Sequence, residues 1–255
     1  MRLLSLALCA VLALGCVAAT ARAADLSPQS SIDEILDALD ARGQGLKSFT
    51  ADVKLSEADA ATGDESVRSG KVWFQADDGG GGARIRVSFD KKQSSGKIAE
   101  DKIDYVLSGP NLIQRTYRTK TENIRQVLKP GEKVNLLKLG EGPFPLPIGQ
   151  KKEDVHANFE VKKVDPKTED PTGTVHIQLA PKPGTRFERR FKTIDVWVDL
   201  KDHMPRRIET LDRNETTTRG TDLENVQFNP SLTAADFTLP KISDDWNRIE
   251  EAYQE

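Results

Sequence analysis

The chain has 255 residues, with 37 Lys and Arg against 40 Asp and Glu and a formal net charge of −3 at pH 7. This slightly acidic balance argues against nucleic acid as a partner, because nucleic-acid binding rests on clustered positive charge. With 37% hydrophobic and 30% charged residues, the composition is that of a protein whose elements each bury one face. The length suits one β-rich domain or two small ones.

The first residues have the three parts of a secretory signal peptide. Arg2 precedes an apolar run at 3–19, and the small-residue site Ala21-Arg22-Ala23 follows. The run is short for a transmembrane helix, which needs about 20 apolar residues. We therefore expect residues 1–24 to be cleaved and residues 25–255 to form a single domain.

Both cysteines lie in this signal segment. A chain cleaved after Ala23 loses Cys9 and Cys16, and with them any disulfide, cysteine metal ligand or cysteine nucleophile. Leu14-Gly15-Cys16 also resembles the end of a lipobox, with Ala13 at the position where that motif usually has Leu. Lipid anchoring through Cys16 is therefore the alternative to cleavage at the downstream Ala-x-Ala site.

A helix is predicted soon after the cleavage site. Ser31 and Glu34 have the spacing of a capping box, and apolar residues follow at helical intervals up to Leu46. Gly43 and Gly45 are expected to end the helix. Its apolar side is then expected to cover one end of a sheet.

Alternating apolar and polar residues predict β-strands along most of the remaining chain. The clearest alternation gives one apolar face to each of the segments Phe49–Leu55, Val72–Phe74 and Ile85–Phe89. The glycine run at 79–82 is typical of a flexible hairpin loop. Further strands are predicted at Ile103–Leu107, Leu112–Tyr117, Asn123–Leu128, Phe159–Val164, Thr174–Ala180 and Ile194–Asp199.

The segment from Ile194 to Pro240 contains three strand patterns joined by short polar turns, then an Asn-Pro break, a Ser/Thr-led turn and an F-x-x-P stop. Such short links join antiparallel neighbours, because a parallel pair needs a long crossover. A short helical turn is predicted at 151–157. Beyond the stop, Trp246, Ile249 and Tyr253 have the spacing of one face of a C-terminal helix.

These elements predict an α+β fold that is mainly β, an incomplete and strongly curved antiparallel β-barrel of about ten to eleven strands with helices covering its open side. The interior of such a sheet is either filled by side chains or holds a ligand. The candidate ligand-binding side chains on the sheet are Val53, Leu55, Val72, Phe74, Ile85, Val87 and Phe89. The candidate lid is a proline-rich segment that carries Phe144, Leu146 and Ile148.

Motifs for catalysis or metal binding are not found. His156, His176 and His203 lie far apart and lack the close spacing of zinc-binding pairs. The sequence has no nucleophile elbow, phosphate-binding loop or dinucleotide fingerprint. The acidic pairs Asp101/Asp104 and Asp244/Asp245 are interpreted as solvated charges. We therefore expect neither an enzyme nor a cofactor or metal site.

Several motifs in a shared order resemble the periplasmic outer-membrane lipoprotein carrier family, the LolA/LolB-like proteins. LKSFTADVKLSE from Leu46 is similar to the family's first strand, GKVWFQ from Gly70 to its Trp strand, and ARIRVSFD from Ala83 to its aromatic strand. PRRIETLDR from Pro205 and TDLENVQFNPSLTAADFTL from Thr221 are similar to the C-terminal end of the family. The resemblance covers nearly all of the chain after the signal peptide and indicates a divergent member.

The resemblance implies a periplasmic carrier whose hydrophobic cavity shields acyl chains of lipoproteins or lipids during transfer toward the outer membrane. It implies an inner-membrane release complex as cargo donor and an outer-membrane acceptor, and we expect a monomer. Where the family's Trp strand often continues into Lys-Arg-Pro, this chain has Gln75, Ala76 and Asp77, so its lid is held differently.

Proteins that regulate the envelope stress response have a fold that resembles that of this carrier family. The alternative function is therefore a sensor of a lipidic ligand. Such a sensor would meet a protein partner through a strand edge or through the basic turn at Arg186–Arg190.

Overall fold

A computed structural model describes residues 25–76, 83–129 and 148–253. Within these ranges the protein has two α-helices, α1 (Ile32–Gly45) and α2 (Lys152–Asn158), and α2 confirms the helical turn predicted there. The described strands are β1 Ser48–Asp59, β2 Glu65–Gln75, β3 Arg84–Ser94, β4 Lys97–Ser108, β5 Asn111–Thr116, β6 Thr121–Gln126, β7 Phe159–Val164, β8 Thr174–Pro181, β9 Phe191–Asp199, β10 Pro205–Asp212, β11 Thr217–Phe228 and β12 Asn247–Glu251.

Helix α1 begins and ends where the sequence predicts. The Ser31 hydroxyl accepts a hydrogen bond from the Glu34 N–H at 3.3 Å, and the Glu34 carboxylate accepts one from the Ser31 N–H at 2.7 Å. This capping box satisfies N–H groups that have no partner within the helix. The helix ends at Gly45. Its buried side chains, which join the main hydrophobic core, are Ile35, Leu36, Ala38 and Leu39.

The twelve described strands form one curved, open sheet in the order β12-β6-β5-β4-β3-β2-β1-β11-β10-β9-β8-β7. One antiparallel meander runs from β1 to β6 and a second from β7 to β11, and the two meet where β1 pairs with β11. Within the described ranges, β12 and β7 each pair on one side only, so the barrel is not closed. The predicted fold class is confirmed, with twelve strands in the described part of the chain where about ten to eleven are expected. The predicted three-strand meander is β9 to β11.

The main core lies between α1 and one face of this sheet, which we call the inner face; the opposite face is the outer face. Inner-face side chains such as Phe49, Val87 and Ile177 are at most 2% exposed. They belong to the same buried cluster as the apolar side of α1. Neither helix in the part of the chain that the structure describes has the length and apolar character needed to cross a membrane.

The predicted C-terminal helix, with Trp246, Ile249 and Tyr253 on one face, is wrong. Residues Asn247–Glu251 form β12, which pairs in parallel with β6. Ile249 is 42% exposed and does not belong to a buried helical face. The helical spacing of apolar residues is a local signal. The structure of β12 depends instead on backbone hydrogen bonds to β6, which is far away in the sequence.

The segment between β11 and β12 lies on the outer face. A single 3-10 turn, Ala234–Phe237, starts at Thr233, whose hydroxyl and N–H both bond to the Asp236 carboxylate. The turn contacts β3, and Phe237 is 5% exposed. This confirms the Ser/Thr-led turn that the sequence predicts after the Asn-Pro break.

Candidate apolar binding site

An apolar pocket lies on the inner face of β1, β2, β3 and β11. Its position follows from the strand registers, because directly opposite residues of antiparallel strands point to the same face. Val53 lies opposite Leu223, and Val72 lies opposite Val87. The described lining residues are Phe49, Val53, Leu55, Val72, Ile85, Val87, Phe89, Thr221 and Leu223.

The pocket is nearly filled by its own side chains. Its volume is about 20 Å³, which is room for about one water molecule, whereas pockets for small molecules measure roughly 300–1,000 Å³. Thr221 carries the one polar side chain among the described lining residues. The lining therefore favours an apolar ligand, and such a ligand has to displace part of the wall in order to enter.

The structure brings the predicted sheet residues together. The side chains that line the pocket are Val53, Leu55, Val72, Ile85, Val87 and Phe89. Phe74 is buried beside them, and its ring stacks on Phe49 with centroids 5.4 Å apart. Phe49, Thr221 and Leu223 were not predicted as site residues. Phe49 shares the alternation of Val53 and could be found from it, whereas the place of Leu223 depends on pairing between two distant strands.

Of the predicted lid residues, Phe144 and Leu146 lie outside the described residues. Ile148 is fully buried in the same cluster as the pocket side chains. The next residue donates its N–H to the Leu39 carbonyl oxygen of α1 at 3.1 Å. A Cβ atom on Gly43 would lie 2.3 Å from the Gly149 Cα atom, so the two backbones touch here. This contact fixes Ile148 next to α1.

Polar contacts on the exposed side of α1 join it to α2. The Lys152 ammonium lies 2.8 Å from Asp37, and the His156 imidazole Nε2 lies 2.9 Å from Asp33. Exposed pairs of this kind contribute little, typically about 0–1 kcal/mol. Helix α1 is therefore held on the sheet mainly by its apolar side.

A basic group lies at the edge of this apolar site. The guanidinium carbon of Arg42, in the last turn of α1, is 3.7 Å from the centroid of the Phe228 ring, and Phe228 lies directly opposite Phe49. Its Nε and Nη2 atoms are buried and have no hydrogen-bond partner among the described residues. Burial lowers the pKa of Arg42, while the Asp202 carboxylate opposes this shift and the Arg206 charge adds to it.

The outer face carries a second polar feature, a row of alternating charges across four strands. The register places directly opposite one another, in order across β4, β5, β6 and β12, the residues Asp104, Arg115, Glu122 and Arg248. The first three are at most 5% exposed. The interpretation of the Asp101/Asp104 pair as solvated charges is therefore wrong, since Asp101 is also largely buried and forms an ion pair with Arg68. We call these four residues the ionic row.

Hydrogen bonds tie the ionic row to its surroundings. The Asp104 carboxylate accepts hydrogen bonds from the Tyr117 hydroxyl at 2.8 Å and from an Arg86 Nη2 at 3.2 Å. Burial raises the pKa of Tyr117, and its hydrogen bond to Asp104 adds to that shift. Arg115 donates from Nη1 to the Pro240 carbonyl oxygen at 2.7 Å, and the Trp246 ring stands edge-on to Tyr117. The row therefore holds the C-terminal segment on the sheet.

The three histidines do not meet. His156 lies on α2, and His203 is buried in the turn between β9 and β10. His176 is buried on β8, where its Nε2 atom lies 2.8 Å from Asp195 and its ring stacks on Trp197. In residues 25–76, 83–129 and 148–253, no three metal-ligating side chains gather in one place.

Fold and site together define a mainly β protein with an open, curved sheet and an apolar pocket on its inner face. No model of a known protein family matches the chain, and no curated protein matches it. Solved structures of similar fold are found. One, an uncharacterized conserved protein from Thermus thermophilus, is 14% identical over 87% of this chain and 100% of that chain, with a TM-score of 0.48.

Two further solved structures are similar in fold to this chain. A putative outer membrane lipoprotein-sorting protein domain from Vibrio parahaemolyticus is 13% identical over 80% of this chain and 94% of that one, with a TM-score of 0.37. MucB in the MucA/MucB complex of Pseudomonas aeruginosa is 11% identical over 82% of this chain and 60% of that one, with a TM-score of 0.45.

Proposed function

We propose that this protein is a periplasmic carrier that shields acyl chains of lipids or lipoproteins in the apolar site during transfer toward the outer membrane. The observation that supports the proposal is the convergence of Val53, Leu55, Val72, Ile85, Val87 and Phe89 on one pocket. Phe74 and Ile148 are buried in the same cluster. In this proposal the sheet residues contact the acyl chain, and Ile148 belongs to the cover.

Opening of the site is part of the proposal, because the pocket of about 20 Å³ has no room for an acyl chain. The strands are fixed by their backbone ladders, whereas α1 rests mainly on apolar contacts. Exposing Ile35, Leu36 and Leu39 by lifting α1 costs about 5–9 kcal/mol, at about 1.5–3 kcal/mol for each large side chain. An acyl chain of about 15 methylenes gains about 12 kcal/mol on burial, at about 0.8 kcal/mol each. A chain that replaces these contacts therefore offsets the cost of opening. In this opening the first turns of α1 tilt away from the sheet, while its last turn, which carries Arg42, keeps its contact with the Gly149 backbone.

The remaining parts of the proposal follow the sequence. Residues 1–24 act as a cleaved signal peptide, and residues 25–255 act as a single periplasmic domain and as a monomer. Cargo comes from an inner-membrane release complex and passes to an outer-membrane acceptor. Lipid anchoring through Cys16 stays the alternative for attachment.

The first experiment is native mass spectrometry of protein purified from its own periplasm, followed by titration with a fluorescent fatty acid. We expect co-purified lipid or lipoprotein, and saturable binding once the protein is stripped. The variant Val87→Phe fills the pocket and should weaken binding. The matched control is Ile98→Phe, since Ile98 lies outside the pocket and is 69% exposed. The carrier proposal would be contradicted if the purified protein carried no lipid and did not bind the fatty acid. It would also be contradicted if Val87→Phe and Ile98→Phe bound the fatty acid with equal affinity.

The sensor alternative is favoured by one observation, the exposed positive charge in the turn between β8 and β9. Arg186, Arg189 and Arg190 are all exposed there, around the buried Phe187. A sensor would use such a turn to meet one membrane partner. Pull-down from envelope extracts separates the two functions, because a carrier captures many lipoproteins whereas a sensor captures a single partner that is lost when these arginines are replaced by serine.

A further inference from the structure

The Arg42 guanidinium combines a partly buried charge with hydrogen-bonding capacity that is not used within the described residues. Two of its nitrogen atoms, Nε and Nη2, are buried and have no hydrogen-bond partner among the described residues. Buried charges in proteins are ordinarily paired or fully hydrogen-bonded, because an uncompensated one is costly. The nearest acidic influence is Asp202, whose carboxylate is already engaged by Arg206. Within residues 25–76, 83–129 and 148–253 these two donors have no acceptor, so they are available to a ligand.

The position of Arg42 relates this partner to the apolar site. Its guanidinium carbon lies 3.7 Å from the centroid of the Phe228 ring. Phe228 is directly opposite Phe49 in the β1–β11 register, and directly opposite side chains on a sheet face lie about 4.5–5.5 Å apart at Cβ. Phe49 itself lines the pocket. The guanidinium is thus one aromatic ring away from the pocket wall.

We propose that Arg42 binds the anionic head group of an amphiphile whose single hydrocarbon chain occupies the apolar pocket. This inference rests on the carrier function proposed above, and it adds the chemical class of the ligand. A guanidinium presents Nε and one Nη in a fork that matches two oxygen atoms of a carboxylate or a phosphate. An apolar pocket beside one guanidinium is the complement of a fatty acid or of a phosphate-bearing lipid. A neutral chain would leave the fork unpaired.

A contact with Phe228 alone does not satisfy the unpaired N–H groups of Arg42. The ring face attracts the cation, but a π-face is a much weaker acceptor of N–H groups than a carboxylate or phosphate oxygen. If Arg42 served only to pack on Phe228, its replacement would alter stability and leave ligand selectivity unchanged. Selectivity between charged and neutral ligands is therefore the decisive readout.

The experiment titrates the whole protein at pH 8 with cis-parinaric acid, a fluorescent fatty acid, and separately with its methyl ester. If the Arg42 guanidinium forms charge-assisted hydrogen bonds with the carboxylate, the acid should bind about tenfold more tightly than the ester. Competition with dodecanoate, dodecyl phosphate and dodecanol then distinguishes a carboxylate from a phosphate as the preferred head group. Arg42→Met should bind the acid and the ester equally, whereas Arg42→Lys should keep part of the preference. The matched control is Arg219→Met, because Arg219 forms an exposed ion pair away from the pocket.

Each result decides between the proposals. Equal binding of acid and ester by the unmodified protein overturns the role of Arg42 and leaves the carrier function intact. Absence of binding by both probes overturns the carrier function and this inference together. A preference that survives in Arg42→Met places the anion elsewhere and overturns the assignment. If Arg42→Met fails to fold by circular dichroism, the comparison of acid and ester on the unmodified protein still decides whether an anion is recognised.

Discussion

Replacement of Glu122 by alanine tests whether the ionic row stabilises the sheet as a unit. The Glu122 side chain is 2% exposed and accepts hydrogen bonds from Arg115 Nε at 3.0 Å and Arg248 Nε at 2.8 Å. Its loss removes the carboxylate that accepts hydrogen bonds from the buried Arg115 cation, while the bond from Arg115 to the Pro240 carbonyl oxygen remains. Removing one partner of a buried ion pair typically costs about 3–5 kcal/mol. For a domain of this size the melting temperature should fall by roughly 6–20 °C.

The assay is equilibrium urea unfolding followed by tryptophan fluorescence, with thermal melting as a second measurement. Arg248→Ala is the matched control, because the Arg248 side chain is 51% exposed and its loss should cost at most about 1 kcal/mol. The double variant Arg115→Met/Glu122→Leu removes both buried charges and should recover most of the loss. A Glu122→Ala variant within about 1 kcal/mol of the unmodified protein would show that the row does not carry this energy.

Three further changes follow from the structure. Gly70→Ala should lower the free energy of unfolding by about 2 kcal/mol or more, because the new Cβ would lie 1.9 Å from the Ser88 carbonyl oxygen; urea unfolding measures this. Gly43→Ala should lower the melting temperature, since its clash with the Gly149 backbone, at about 1–3 kcal/mol, outweighs a helix-propensity gain of about 1 kcal/mol. Glu209→Gln should stabilise the protein at neutral pH and not near pH 4, as urea unfolding at both pH values will show. Burial raises the pKa of Glu209, so the protonated form stabilises the fold at low pH and this contribution is lost as pH rises through the raised pKa.

Controls for these three changes come from the same chain. Gly45→Ala adds a Cβ with no atom within 4 Å and should be neutral or stabilising. A loss at Gly45 equal to that at Gly70 would show that the clash is not the cause. Glu160→Gln alters an exposed carboxylate on β7 and should show the same difference from the unmodified protein at both pH values. The explanation for Glu209 is wrong if its variant behaves in the same way.

The sequence predicted those parts of the fold that local spacing determines. The capping box of Ser31 and Glu34 locates the start of α1, and the alternation at Ile85–Phe89 identifies the inner face of β3. Short polar turns predicted the antiparallel meander of β9 to β11. In each case the signal and the structure it produces lie within a few residues of one another, so one segment is sufficient to predict them.

Features that depend on how one strand is aligned with another were not predicted. Asp104 is buried because the register brings it into line with Arg115 and because the C-terminal segment covers that face. An isolated acidic residue gives no sign of this. The same reason explains β12, whose polar sequence is stabilised by parallel pairing with β6. The charges that form the ionic row lie at outer-face positions of neighbouring strands. Their alternation can be recognised only when the strands are aligned in the correct register.

The join between β1 and β11 has a consequence for how the protein reaches its native state. Phe49 at the start of β1 is paired with Phe228 at the end of β11, so the middle of the sheet is assembled from the two most widely separated long strands. Contacts of such sequence separation slow folding, because a long loop has to close before they form. Until β11 is available, the meander of β1 to β6 exposes both an open strand edge and its apolar face. Nascent chains of this protein therefore need protection from edge-to-edge aggregation until nearly their full length is available.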